Sequence, residues 1–265
     1  MTPELLAALA DLTGFAQEAL AAGGIVFLRV GAAMALIPAF GEQAVPMRVR
    51  LALALAFTMV VAPAVAPEAA ALAARPNGWL RALATEVLAG LVLGMGLRLF
   101  VHALQTAGTM AAQATSLAQF FGGAGVDPQP AIAQLLLMAG LALALMAGLH
   151  IRLAEFLILS YALMPAGDFP AGWAVAGWGV AQVARAFALA FSLAAPFVIA
   201  ALIYNMALGA INRAMPQLMV AFVGAPALTW GGLMLLLLVV PVLLSVWLAA
   251  FTAFLADPFA APGPG

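Results

Sequence analysis

The chain has 265 residues, of which 67% are hydrophobic and 7% charged, with nine arginines, no lysine, ten acids, no cysteine and a net charge of −1. A soluble domain carries about 25% charged residues, so the surface of this chain must meet lipid or other protein, and a membrane-associated, all-α fold is expected. The same counts exclude disulfides, thiolate and Cys-zinc chemistry, a P-loop lysine, a Schiff base and a nucleic-acid surface, which needs clustered basic residues.

Apolar stretches run about 19–40, 51–67, 82–104, 131–164, 186–211 and 220–256. Each is close to or above the roughly 20 residues that cross a bilayer as a helix, which gives six apparent hydrophobic segments. Glu4, Asp11 and Glu18 precede the first without a positive charge, so the N-terminal stretch does not read as a cleavable leader. Arg29 lies inside the first segment, where a charge needs a partner. Glu86 or Glu42 could reach it only through tertiary contact, and a buried ion pair is favoured over a transport site. Val45-Pro46-Met47-Arg48-Val49-Arg50 opens the second segment, with Pro46 suited to a helix start. Arg48 and Arg50 oppose the dipole there, so they either mark topology or meet an acidic subunit or anionic headgroups.

In the third segment Gly90 and Gly94 form a small-xxx-small surface that lets helix backbones approach. From Arg98, polar residues then recur at His102, Gln105, Thr109, Gln113 and Ser116, in steps of four, three, four, four and three. That is one face of a helix. Two readings stay open: a face lining a water-filled conduit, or side chains hydrogen-bonded between helices in a bundle core. The stripe runs into Phe120-Phe121-Gly122-Gly123-Ala124-Gly125, two bulky rings followed by flexible backbone. A plug or gate is one reading, a surface connection the other.

The stretch 131–164 is too long for one span, and Gly148, His150, Arg152 and Glu155 are expected to mark a bend or a second, shorter helix, with Arg152 and Glu155 at ion-pair spacing. Pro196 and Pro241 should kink or break their helices. Asn205, Gly209 and Asn212 share a face, and Arg213 to Gln217 ends that helix through Pro216. The expected organisation is one helical domain over 1–257 and a frayed Pro/Gly-rich tail, 258–265. No catalytic template is present. There are no carboxylates paired at helical spacing, no HExxH or GxSxG, and the two histidines stand far apart.

Several of these residues resemble a known family. Phe27-Leu28-Arg29-Val30, Pro38 and Val45 to Arg50 are similar to the opening of the flagellar FliR family and its injectisome relatives. Thr106-Ala107-Gly108, Gln113 and Asp127-Pro128 resemble its central segment. Asn205-Met-Ala-Leu-Gly209-Ala-Ile-Asn212-Arg213-Ala-Met-Pro216-Gln217-Leu218, followed by Val223-Gly224-Ala-Pro226, resembles its C-terminal signature. The matches lie in order along nearly the whole chain. The resemblance implies a non-enzymatic subunit of a type III protein export gate, in the bacterial inner membrane within the flagellar basal body. It implies assembly with FliP-like and FliQ-like subunits, an FlhB-like subunit nearby, and unfolded export substrates. It further implies long, kinked helical hairpins, some lifted out of the bilayer and covered by sister subunits. Arg98, His102, Gln105, Thr109, Gln113 and Ser116 would then line the channel. Phe120, Phe121, Gly122, Gly123 and Gly125 would form the plug, and Arg29, Arg48, Arg50, Asn205, Asn212, Arg213 and Gln217 would meet other subunits. No cofactor, metal or nucleic acid is expected. The alternative is a secondary transporter of a small solute, with Arg29, Glu86 and His102 as its intramembrane site.

Overall fold

A computed structural model describes residues 3–42, 44–115, 131–169, 171–215 and 220–259, with side chains described from Leu12 onward and not over 220–227. These residues form seven helices and, among them, no strand: α1 (Pro3–Met34), α2 (Met47–Ala73), α3 (Gly78–Thr115), α4 (Ala131–Met146), α5 (Leu149–Leu163), α6 (Gly172–Ala214) and α7 (Val220–Ala256). Alanine and leucine, the strongest apolar helix formers, dominate every one. α1, α2, α3, α6 and α7 are each long and apolar enough to cross a membrane, and α4 with α5 would make a sixth, broken span. The all-α, six-segment expectation therefore holds.

Helix ends differ from hydropathy boundaries. α2 runs through Pro63 and Pro67 to Ala73, α3 reaches Thr115, and α6 starts at Gly172. Hydropathy reports lipid affinity, whereas Gln, Arg and Glu are good helix formers that lower it. Pro196 and Pro241 do not break their helices, which continue on both sides. The expected break near residue 148 is present. Gly148 takes φ 82, ψ 33, a left-handed conformation that costs glycine little, and its carbonyl starts α5 by accepting the Ile151 N–H at 3.0 Å.

Packing divides the chain into two compact units: Met1–Arg98, Gly148–Gly179 and Ala253–Gly265 in one, Leu99–Ala147 and Val180–Thr252 in the other. α3, α6 and α7 contribute to both.

In the first unit α2 buries Ala54, Thr58, Val61, Val65, Ala69 and Leu72, one helical face, and its main neighbour is α1. The Gly90–Gly94 surface lies on the α1 backbone. A Cβ on Gly90 would overlap the Arg29 carbonyl, and one on Gly94 would come within 2.9 Å of the Ala33 carbonyl. The small residues thus serve helix packing inside the chain. Pro258 and Phe259, in the tail expected to fray, are packed: Trp178 Nε1 donates to the Pro258 carbonyl at 2.8 Å, and its ring meets Phe259 at 5.3 Å between centroids. Residues 260–265 lie outside the described residues.

In the second unit Trp247 is fully buried and stacks on Phe251 at 5.0 Å. Its Nε1 donates to the Phe100 carbonyl at 2.9 Å. Leu104, Ala107 and Ala111 of α3, Leu136 of α4 and Phe197 of α6 are buried in the same unit.

Candidate functional site: a buried ionic knot and an outward polar seam

The two mid-segment charges of opposite sign find each other. Arg29 Nε donates to Glu86 Oε2 at 2.9 Å, with both side chains completely buried. Arg29 Nη1 donates to Ser160 Oγ at 3.1 Å and Nη2 to the Met164 carbonyl at 2.8 Å. Its guanidinium lies 3.7 Å from the centre of the Tyr161 ring, a cation–π contact that is strongest away from water. Glu86 Oε1 accepts the Gly167 N–H at 2.9 Å, and the Ser160 hydroxyl donates to the Leu157 carbonyl at 2.6 Å. The Gly90 contact to α1 places Glu86, one turn earlier on α3, opposite Arg29. α1, α3, α5 and the turn after α5 are thereby tied together at one buried point.

Exposed contacts secure the same turn. Arg81 Nε donates to the Gly167 carbonyl at 2.6 Å and Nη2 pairs with Asp168 at 2.5 Å. Arg29 has no exposed surface to offer another subunit, which overturns its expected contact role and bears out the buried ion pair. Glu86 and Arg29 were legible in the sequence as lone opposite charges in apolar stretches. Ser160, Tyr161, the Met164 carbonyl and the Gly167 N–H were not.

The polar stripe of α3 faces away from the core. Val101, Leu104, Ala107, Gly108 and Ala111 are buried, whereas His102 and Gln113 are exposed and Arg98, Gln105 and Thr109 are half-buried. His102 Nδ1 and Gln105 Oε1 stand 3.1 Å apart, and Thr109 donates to the Gln105 carbonyl one turn back at 2.8 Å. From His102 to Thr115, the side-chain hydrogen bonds of the seam among the described residues stay within α3. Among the described residues, no side-chain hydrogen bond of this stretch joins two helices. Among the described residues of the seam Arg98 alone reaches another element, pairing with Glu42 Oε1 at 2.6 Å, the two side chains 21% and 23% exposed. Ser116, the Phe120–Gly125 stretch and Gln217 lie outside the described residues.

Of the other expected contacts, Arg48, Asn205, Asn212 and Arg213 are exposed. Arg50 is half-buried and donates to the Glu42 carbonyl at 2.9 Å, so part of its role is internal. The expected Arg152–Glu155 ion pair is not among the ion pairs of the described residues; both side chains are exposed, and spacing permits a pair without compelling one. The transporter reading needs Arg29 and Glu86 open to a solute. They are closed on each other, and His102 bonds instead to Gln105.

An all-helical chain with five or six membrane-length segments, one sealed ionic knot and one outward polar seam is a polytopic membrane protein. The model of "Bacterial export proteins, family 1" matches residues 20–254, and the chain belongs to that family. It is 34% identical over 225 residues to the flagellar biosynthetic protein FliR of Caulobacter vibrioides, covering 84% of this chain and 90% of that one. It is also 28% identical over 218 residues to FliR of Escherichia coli, covering 82% and 83%, and 29% identical over 223 residues to FliR of Pectobacterium carotovorum, with the same coverage.

Proposed function

We propose that the chain is a non-enzymatic subunit of the flagellar type III export gate in the bacterial inner membrane, and that it completes a narrow channel for unfolded substrates. The α3 seam from Arg98 through Gln113 to Ser116 faces the conduit, and Phe120 to Gly125 form part of the plug. FliP-like and FliQ-like subunits enclose the apolar surface, with an FlhB-like subunit beside them. The observation that supports this is the seam itself. Among the described residues its side chains face outward and, except at Arg98, their hydrogen bonds run along their own helix, which leaves this face open to a partner beyond those residues. A wall that passes any sequence should be polar enough to wet and too weakly charged to trap, and Gln and Thr meet both conditions. Arg98 fits because Glu42 neutralises it.

The chain has no native cysteine, so single cysteines at Gln105 and Gln113 are clean probes. A stalled export substrate carrying a thiol-reactive group should cross-link to both during export, and a cysteine on the buried face, at Ala107, should stay unreacted. Cross-links absent at both seam positions while export proceeds would refute the lining role.

A further inference from the structure

Among the described residues of the α3 seam, only His102 is of a type whose charge changes between about pH 5 and 8. Arginine is always charged, and the glutamines and threonine never are. His102 is exposed, between the buried Val101 and Ala103. Its Nδ1 stands 3.1 Å from Gln105 Oε1. That oxygen can only accept, so the bond requires a proton on Nδ1 and leaves Nε2 as the basic nitrogen. Protonation at Nε2 therefore adds a charge to the seam without breaking the bond that holds the ring.

We infer that His102 sets a charge preference in the conduit. Protonated, it favours acidic segments of a passing chain over basic ones; neutral, it favours neither. The inference deepens the lining role proposed above and rests on it.

The surroundings leave that charge uncompensated. Arg98, one turn earlier on the same helix, is already paired with Glu42. α4 and α7 pack on this stretch of α3. A Cβ on Gly108 would overlap Ala133, one on Gly140 would overlap Leu104, and Trp247 bonds to the Phe100 carbonyl. Neither α4 nor α7 carries a titratable side chain. α6 carries Arg185, Tyr204 and Arg213, and no acid. The second unit's one acid, Asp127, lies outside the described residues. Among the described residues, then, an imidazolium at His102 meets no carboxylate in its own unit, and its field is directed outward. Charged side chains on a pore wall are a general means of selecting by charge. Hydrogen bonding does not ask for an imidazole here, because a glutamine also donates at this spacing. What histidine adds is the switchable charge.

The test uses the full-length chain in a flagellated host lacking its own copy. Export substrates differ only in a short insert rich in Glu, Gln or Arg. The readout is the ratio of acidic to basic export rates, each taken relative to the Gln insert so that effects common to all substrates cancel. One charge at about 8 Å in water, screened at physiological salt, acts in opposite senses on the two inserts and separates their rates by about twofold. His102→Lys should therefore hold the ratio about twofold or more above that of His102→Gln. In inverted membrane vesicles from the same host, buffered alike on both sides, the ratio with native His102 should rise as pH falls from about 8 to about 6. It should stay flat in both variants. His102→Gln combined with Gln113→His moves the imidazole three turns along the same face. That double variant should regain the pH dependence, which a merely structural role for His102 would not allow. A ratio that ignores the charge at residue 102, or a pH dependence that persists in His102→Gln, would overturn the inference. Cross-links from Gln105 and Gln113 together with such a ratio keep the lining role and remove the preference. Cross-links absent at both positions remove the lining role, and the preference with it.

Discussion

Removing one member of the Arg29–Glu86 pair should be far worse than removing both. Arg29→Met deletes three hydrogen bonds, at 2.9, 3.1 and 2.8 Å, and the ring contact at 3.7 Å. It leaves the Glu86 carboxylate fully buried with the Gly167 N–H at 2.9 Å and Thr85 at 3.4 Å as its remaining donors. An uncompensated buried charge costs about 3–5 kcal/mol, a loss of roughly two to more than three powers of ten in the folded-to-unfolded ratio. Glu86→Gln costs less. The amide oxygen still accepts from Gly167, and the guanidinium keeps Ser160, the Met164 carbonyl and the Tyr161 face. In Arg29→Met with Glu86→Leu no charge remains, and replacing both ions by apolar side chains of similar volume is often close to neutral. The Gly167 N–H then loses its acceptor, at about 1–3 kcal/mol, so the double variant should recover most but not all of the single loss. The assay is a double-variant cycle on purified protein in detergent, read as the denaturant midpoint, with protease resistance in membranes as a second probe. Single losses below about 1 kcal/mol, or losses that simply add, would refute the argument that the pair is a closed, dry unit.

Two further variants probe the packing that positions the pair and the ion pair at the head of the seam. Gly90→Ala puts a methyl into the Arg29 carbonyl, a backbone atom that cannot step aside; it should cost about 1–3 kcal/mol, read by the same denaturation assay, and an unchanged midpoint would show that α1 and α3 do not touch there. Glu42→Gln should cost about 0–1 kcal/mol, because its pair with Arg98 is partly exposed and screened by salt; its informative readout is single-substrate export rate, which should fall as Arg98 regains an uncompensated charge and should recover in Glu42→Gln with Arg98→Gln.

Much of this fold could be read from spacing. The α3 seam follows from steps of three and four, and its outward direction from alanine on the other face, because a small residue is cheap to bury and a glutamine is not. The break at Gly148 was legible because a 34-residue apolar run is too long for one span and holds a glycine among polar residues. What spacing could not supply is tertiary choice. Arg29 had two candidate acids, and the selection of Glu86 over Glu42 depends on Gly90 bringing α3 onto α1. The rest of the knot includes backbone groups, the Met164 carbonyl and the Gly167 N–H, which carry no residue-type signal. The start of α6 was missed for another reason. Gln182 and Arg185 lower hydropathy without lowering helix propensity, so a lipid scale placed the segment start at 186 when the helix begins at Gly172.

The same distinction governs how α3 relates to a membrane. Its 38 residues measure about 57 Å at 1.5 Å per residue, nearly twice the hydrocarbon thickness of about 30 Å. The part from Gly78 to Leu97 is 20 residues, about 30 Å, and its only charges are Arg81, paired at the helix start, and Glu86, sealed in the knot. From Arg98 onward the helix is amphipathic, with its outward face polar. A helix built this way has one bilayer's length suited to lipid, followed by a stretch whose outward face is not. If all 38 residues lay straight within lipid, the helix would tilt almost 60°, beyond the observed range, and His102, Gln105 and Gln113 would face tails that cannot bond to them. Hydropathy therefore finds α3 but does not say how much of its length meets lipid. The surplus length, polar on one side and apolar on the other, suits the proposed role of lining a passage.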